Sequence, residues 1–146
     1  MEPSVEYTNN GVERRPGDLI EQLSGHWLVG IRIEGDCPAE WRAEFPTGQT
    51  HWRDAGSHLS IEASEGSGPI ELWPRNTESL SFQATIDGHG CLATEHRVLT
   101  VYLLQESHAQ GVYERILTQA GEACQAFAGS ALPERCVTLI HWQAHR

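Results

Sequence analysis

The chain has 146 residues, 39% of them hydrophobic and 21% charged, which suits one globular domain, and no apolar run approaches the ~18 residues of a membrane-spanning helix. Ten cationic side chains against twenty anionic ones give a net charge of −10, and every cation is an arginine because lysine is absent. That excludes a P-loop lysine, a lysine Schiff base and a serine–lysine dyad, and so negative a field opposes binding to nucleic acid or anionic lipid.

Residues 1–16 are polar, with Asn9-Asn10-Gly11 and Arg14-Arg15-Pro16 among them, and predict a mobile N-terminal tail ahead of a single domain over 17–146. Next, Asp18 stands three residues before Glu21 as in a capping box, and Leu19, Ile20 and Leu23 share one face, which predicts one or two helical turns. Ser24-Gly25 ends them. From Trp27 the period changes to two: Trp27, Val29, Ile31 and Ile33 alternate with Leu28, Gly30, Arg32 and Glu34, so a strand follows with its first set inward. Shorter strands are expected at 41–45, 58–63 and 70–73, the first and last stopped by Pro46 and Pro74. Leu80, Phe82, Ala84 and Ile86 alternate with polar residues and predict a half-buried strand. The stretches 98–104 and 112–119 suit an antiparallel hairpin. A helical turn is expected near 122–127, and residues 136–146 read as a last strand whose inward face the pattern leaves open.

About eight strands joined by short links, with one helix before the first, predict an all-β fold. The expected form is an eight-stranded antiparallel up-and-down barrel with a short N-terminal helical turn, and a two-sheet sandwich is the competitor. The four cysteines, Cys37, Cys91, Cys124 and Cys136, allow three pairings. Cys124 with Cys136 would close a short loop and contribute ~3 kcal/mol. Disulfides would place the protein in a secreted or periplasmic setting, and free thiols in the cytoplasm are the alternative, since the given chain starts without an export signal.

The helical turn, then Gly25-His26-Trp27, then an alternating strand resembles the opening of lipocalins and the wider calycin group of small barrels, which includes fatty-acid-binding proteins, avidins and nitrobindins. The resemblance implies that Gly25 bends the chain into the first strand and that Trp27 packs across the closed end. It also implies a basic side chain lying over that indole, a place that Arg146 or Arg115 would fill by a cation–π contact of ~0.5–2 kcal/mol. It further implies a small apolar or aromatic molecule carried in the barrel.

Chemistry is sparse. Eight histidines suggest metal, but His141 and His145 would lie about 13 Å apart on one strand face at ~3.3 Å per residue, too far to share an ion. No metal site is therefore expected. A haem held by His141 or His145, as in nitrobindin-like barrels, is a minor alternative, as is an isomerase on the same fold. No Gly-x-Ser-x-Gly elbow is present, and Glu62, Glu71, Glu95, Glu106 and Glu114 are expected outward as solvated charges. Trp41, Trp52 and Trp73 stand near turns, where an indole would line a barrel mouth; with Tyr102 and Tyr113 they are the expected ligand-binding residues. The expectation is thus a small-molecule binding protein without covalent chemistry or cofactor. The alternative is a secreted interaction or inhibitor protein whose barrel is filled and whose surface meets a partner protein.

Overall fold

The computed structural model describes residues 6–7, 13–14, 18–64, 69–88, 91–120 and 134–146. Within the segment expected to be a tail, β1 (Glu6–Tyr7) pairs antiparallel with β2 (Glu13–Arg14). Helix α1 (Asp18–Leu23) follows, with Leu19, Ile20 and Leu23 buried as the helical spacing predicts. The remaining strands are β3 (Gly25–Gly35), β4 (Gly48–Asp54), β5 (Leu59–Ala63), β6 (Ile70–Pro74), β7 (Ser79–Gly88), β8 (Cys91–Leu104), β9 (His108–Ala120) and β10 (Arg135–His145). They form one closed antiparallel barrel in which every strand neighbours its predecessor and β10 returns to β3. Closure removes the unpaired edges that an open sheet would present. The turn expected near 122–127 lies outside the described residues, and no described helix is long and apolar enough to cross a membrane.

The strand count matches expectation, but one member is exchanged. Residues 41–45 are not in the wall. Ala39–Trp41 is a 3-10 turn, and the chain then runs extended without strand pairing, with Ala43 and Phe45 buried and Arg42 and Glu44 exposed. The alternation was real, but it belongs to a strap that enters the barrel. The wall position is taken by β4, whose sequence Gly48-Gln49-Thr50-His51-Trp52-Arg53-Asp54 has a single apolar residue and so no apolar alternation to read. Its inward pair is Thr50 and Trp52, 1% and 0% exposed. The Thr50 hydroxyl donates to the Trp27 carbonyl at 2.7 Å and accepts from Trp52 Nε1 at 2.8 Å. A satisfied hydroxyl can thus stand where an apolar group is usual.

The inward face of β10 is Cys136, Thr138, Ile140, Trp142 and Ala144, all buried. On β3 the inward set begins as expected with Trp27 and Val29, while Ile33, near the open end, is 40% exposed. At the closed end Trp27 Nε1 donates to the Leu23 carbonyl at 2.8 Å, joining indole and helix. The Arg146 guanidinium lies 4.0 Å from the Trp27 ring. It also donates to the carbonyls of Ser24 (2.7 Å), Glu106 (2.7 Å) and Gln22 (3.4 Å). Gly25 leaves the space for this, since its φ is +133° and a Cβ there would sit 2.9 Å from Arg146 Nη1. One side chain therefore ties the helix end, the β8–β9 loop and the first strand. Arg146→Ala is expected to lower the unfolding free energy by about 1–3 kcal/mol, from the cation–π contact and the charged hydrogen bonds together. Arg146→Lys should recover only part of this in urea denaturation, because an ammonium lacks the planar fork.

A candidate ligand site at the barrel mouth

The closed half of the interior is filled. Trp52 and Trp142 stand 5.4 Å apart and Trp27 and Trp52 6.2 Å apart, centroid to centroid. Phe45 enters from the strap to meet Trp142 at 6.4 Å, Trp52 at 6.2 Å and Tyr113 at 5.2 Å. Gly111 permits the Trp142 position, because a Cβ there would fall 1.9 Å from the Thr100 oxygen and 2.9 Å from Trp142 Cζ2. Burying an aromatic ring such as Phe45 contributes about 1.5–3 kcal/mol, so the strap gains stability by filling this space.

Above the aromatic floor the inward positions of β8 and β9 turn polar. Arg97 faces Arg115 across the pair, one register step beyond Leu99 and Tyr113. Glu95 links the two cations: Arg97 Nη2 donates to its Oε1 at 2.9 Å and Arg115 Nε to its Oε2. Arg115 Nη1 also donates to the Trp41 carbonyl at 3.4 Å, and the Arg97 guanidinium lies 5.2 Å from the Phe82 ring. Arg97 Nε is buried with no hydrogen-bond partner among the described residues. Burial alone would lower the Arg97 pKa, but the Glu95 hydrogen bond, with the nearby Tyr113 and Glu95, leaves it raised. Burial pushes the Tyr113 phenol up to about 12, so it stays protonated and able to donate at neutral pH.

These groups border a hollow of about 330 Å³ whose walls include Arg42, Pro46, Ile70, Arg97, Tyr113 and Arg115. It falls at the small end of the ~300–1,000 Å³ range of ligand pockets. The barrel wall beside it is loosely joined. β6 pairs with β7 only at Trp73↔Ser81 and Pro74↔Leu80, whereas β7 continues to Gly88. From Phe82 onward β7 has no β6 partner.

The expected ligand residues are dispersed. Tyr113 lines the hollow, and Trp41 packs at the mouth against Cys37 and Cys136. Trp52 is 0% exposed and belongs to the floor. Trp73 is on the outer side, stacked on His58 at 4.5 Å. Tyr102 is 69% exposed, because it alternates outward from the buried Leu99 and Val101. Glu95, expected outward, faces inward. His141 alternates with the buried Ile140 and Trp142 and bonds Glu34 at 3.0 Å on the outside; that hydrogen bond holds the Glu34 pKa low. His145 meets His108 at 4.5 Å, also outside, so neither histidine faces the interior as a haem ligand would. Among the described residues no group of three or more His, Cys, Asp or Glu could hold a metal ion. Sequence reading missed Glu95, Arg97 and Arg115, although all three share the strand parity of Leu99 and Tyr113.

The strap is held at the mouth by a disulfide, Cys37–Cys136, across 99 positions, in place of the short Cys124–Cys136 loop. Cys91 is disulfide-bonded as well. Such bonds suit an oxidising compartment. The Asp36 N–H donates to the Val137 carbonyl at 3.0 Å, the Val137 N–H to Asp36 Oδ1 at 2.7 Å, and the Ala43 N–H to Thr138 Oγ1 at 3.2 Å. Removing the bond in a Cys37→Ala, Cys136→Ala double variant is expected to cost about 2–5 kcal/mol of unfolding free energy in urea. The same variant should increase proteolysis within residues 36–47, since the strap then rests on hydrogen bonds and the packing of Ala43 and Phe45.

Compared with known proteins, the chain matches no family model, no curated protein and no solved structure.

Proposed function

We propose that the protein is a lipocalin-like carrier that binds a small amphiphile at the barrel mouth, a ligand with an apolar or ring-bearing body and an acidic head. An eight-stranded barrel is compatible with ligand binding. The observation that carries this reading is the pair of guanidiniums, Arg97 and Arg115, sharing one carboxylate inside the barrel. Cations withdrawn from water are costly unless they are paired. Glu95 neutralises one of the two, and the rim of the hollow adds one charge of each sign, Arg42 and Glu44, so one cation stays in excess. An anionic head would supply the missing charge and an acceptor for Arg97 Nε, in charge-assisted contacts stronger than neutral ones. The Tyr113 hydroxyl would donate to the same head.

The body of the ligand has apolar neighbours in Ile70, Pro46 and Pro69, and the loosely joined β6–β7 wall gives it an approach. The tryptophan floor limits its depth, which favours a short ligand over a long chain. A wholly filled barrel accounts for the floor but gives no reason for two arginines above it. The disulfides support a secreted or periplasmic setting.

The test uses anilinonaphthalene sulfonate and a dansyl-labelled fatty acid beside the methyl ester of the latter, followed by fluorescence. Arg97→Gln and Arg115→Gln are each expected to weaken the two anionic probes by about tenfold or more, as loss of a charged hydrogen bond implies. The neutral ester should change little, with circular dichroism reporting an intact barrel. Equal binding of acid and ester, or affinities indifferent to both variants, would sink the reading.

A further inference from the structure

A second concavity lies on the outside of the barrel, away from the mouth, across β3, β10, β9 and β8. It encloses about 540 Å³. The register places its side chains in two rows. In the first, Gly30 is opposite Gln143, which is opposite Gln110; in the second, Arg32 is opposite His141. These positions alternate with the buried Ile140, Trp142 and Ala144, so their side chains face solvent.

Two local features make the concavity. Tyr102 alternates outward from the buried Leu99 and Val101, is 69% exposed, and is the residue left without a β9 partner at the bulge between Val101 and Leu103. Gly30 then leaves the middle of the first row bare. Its φ is not positive, and a Cβ there would meet nothing within 4 Å, so neither backbone conformation nor packing demands glycine. Its effect is to keep the hollow open.

The lining has a particular chemistry. Arg32 and His141 both bond Glu34, each at 3.0 Å, so the one arginine in the lining is already paired with a carboxylate. Two primary amides, Gln110 and Gln143, add planar donor and acceptor pairs, and a phenol ring stands beside them. An aromatic face next to uncharged, bidentate hydrogen-bonding groups complements a molecule with C–H faces and many hydroxyls.

We propose that this outer concavity is a binding site for a neutral saccharide, with Tyr102 stacking on a sugar face and Gln110 and Gln143 bonding its hydroxyls. The site is independent of the ligand in the mouth.

The experiment is a heteronuclear NMR titration of the intact, oxidised protein with cellotriose, maltotriose and chitotriose in turn. At least one sugar is expected to give saturable shifts at Gly30, Gln110 and Gln143. Tyr102→Ala and Gly30→Leu should each weaken that binding about tenfold, while the melting temperature and the affinity for anilinonaphthalene sulfonate stay unchanged. Both positions are open to solvent, so neither variant removes a packed group. Absence of saturable shifts with all three sugars overturns the proposal, as does binding that both variants leave intact.

Discussion

Three indoles laid across one end of the barrel decide how much interior is left for anything else. Trp27, Trp52 and Trp142 are each 0–1% exposed, and side-by-side aromatic packing of this kind fills a small barrel's cross-section. The polar edges of two of them are satisfied locally. Trp27 bonds the helix end and Trp52 bonds Thr50, whose hydroxyl bonds Trp27 in turn. The floor therefore explains an otherwise unexpected threonine in β4, the buried face of α1 and the bare backbone at Gly111. It also explains why the strap delivers a phenylalanine to the barrel axis.

With the floor closed, the remaining chemistry is displaced toward the mouth, where solvent can still reach charged groups. A net charge of −10 would lead one to expect arginines spread outward among carboxylates. Instead, Arg97 and Arg115 meet inside around one glutamate, with Arg42 and Glu44 together at the rim. Partial exposure lowers the cost of this arrangement, because water screens what Glu95 does not neutralise. The acidic exterior and cationic mouth are thus opposite in sign. The disulfide at Cys37 keeps the strap over that mouth, so the pocket shape depends on a covalent link between β10 and a segment outside the wall.

Much of the barrel was legible because β3 and β7 alternate cleanly and α1 carries a capping pair and an apolar face. The failures have physical causes. In β4 a hydrogen-bonded threonine replaces an apolar residue, so the strand left no hydrophobic trace. The strap does alternate, because Ala43 and Phe45 enter the core, yet alternation reports burial and not pairing. In β8 the run from Val98 to Leu104 is apolar on both faces, so its phase was hidden and Glu95 seemed solvated. Once Leu99 and Val101 are known to face inward, Tyr102 falls outward; the bulge then turns Leu104 inward, a change no period of two can contain. The Cys37–Cys136 bond follows from where the strap crosses the mouth, a tertiary fact absent from cysteine spacing. Arg97 and Arg115 were legible only in retrospect, as charges in phase with Leu99 and Tyr113.

The central claim is that ligand binds above the tryptophan floor and not among the indoles. A nitrogen-resolved NMR titration with the dansyl-labelled fatty acid tests it directly, since backbone, arginine Nε and indole Nε1 signals appear together. The account predicts saturable shifts at Arg97, Arg115, Tyr113 and Ala43, with the indole signals of Trp27, Trp52 and Trp142 nearly fixed. Shifts concentrated on those three indoles, with the arginine signals unmoved, would contradict it.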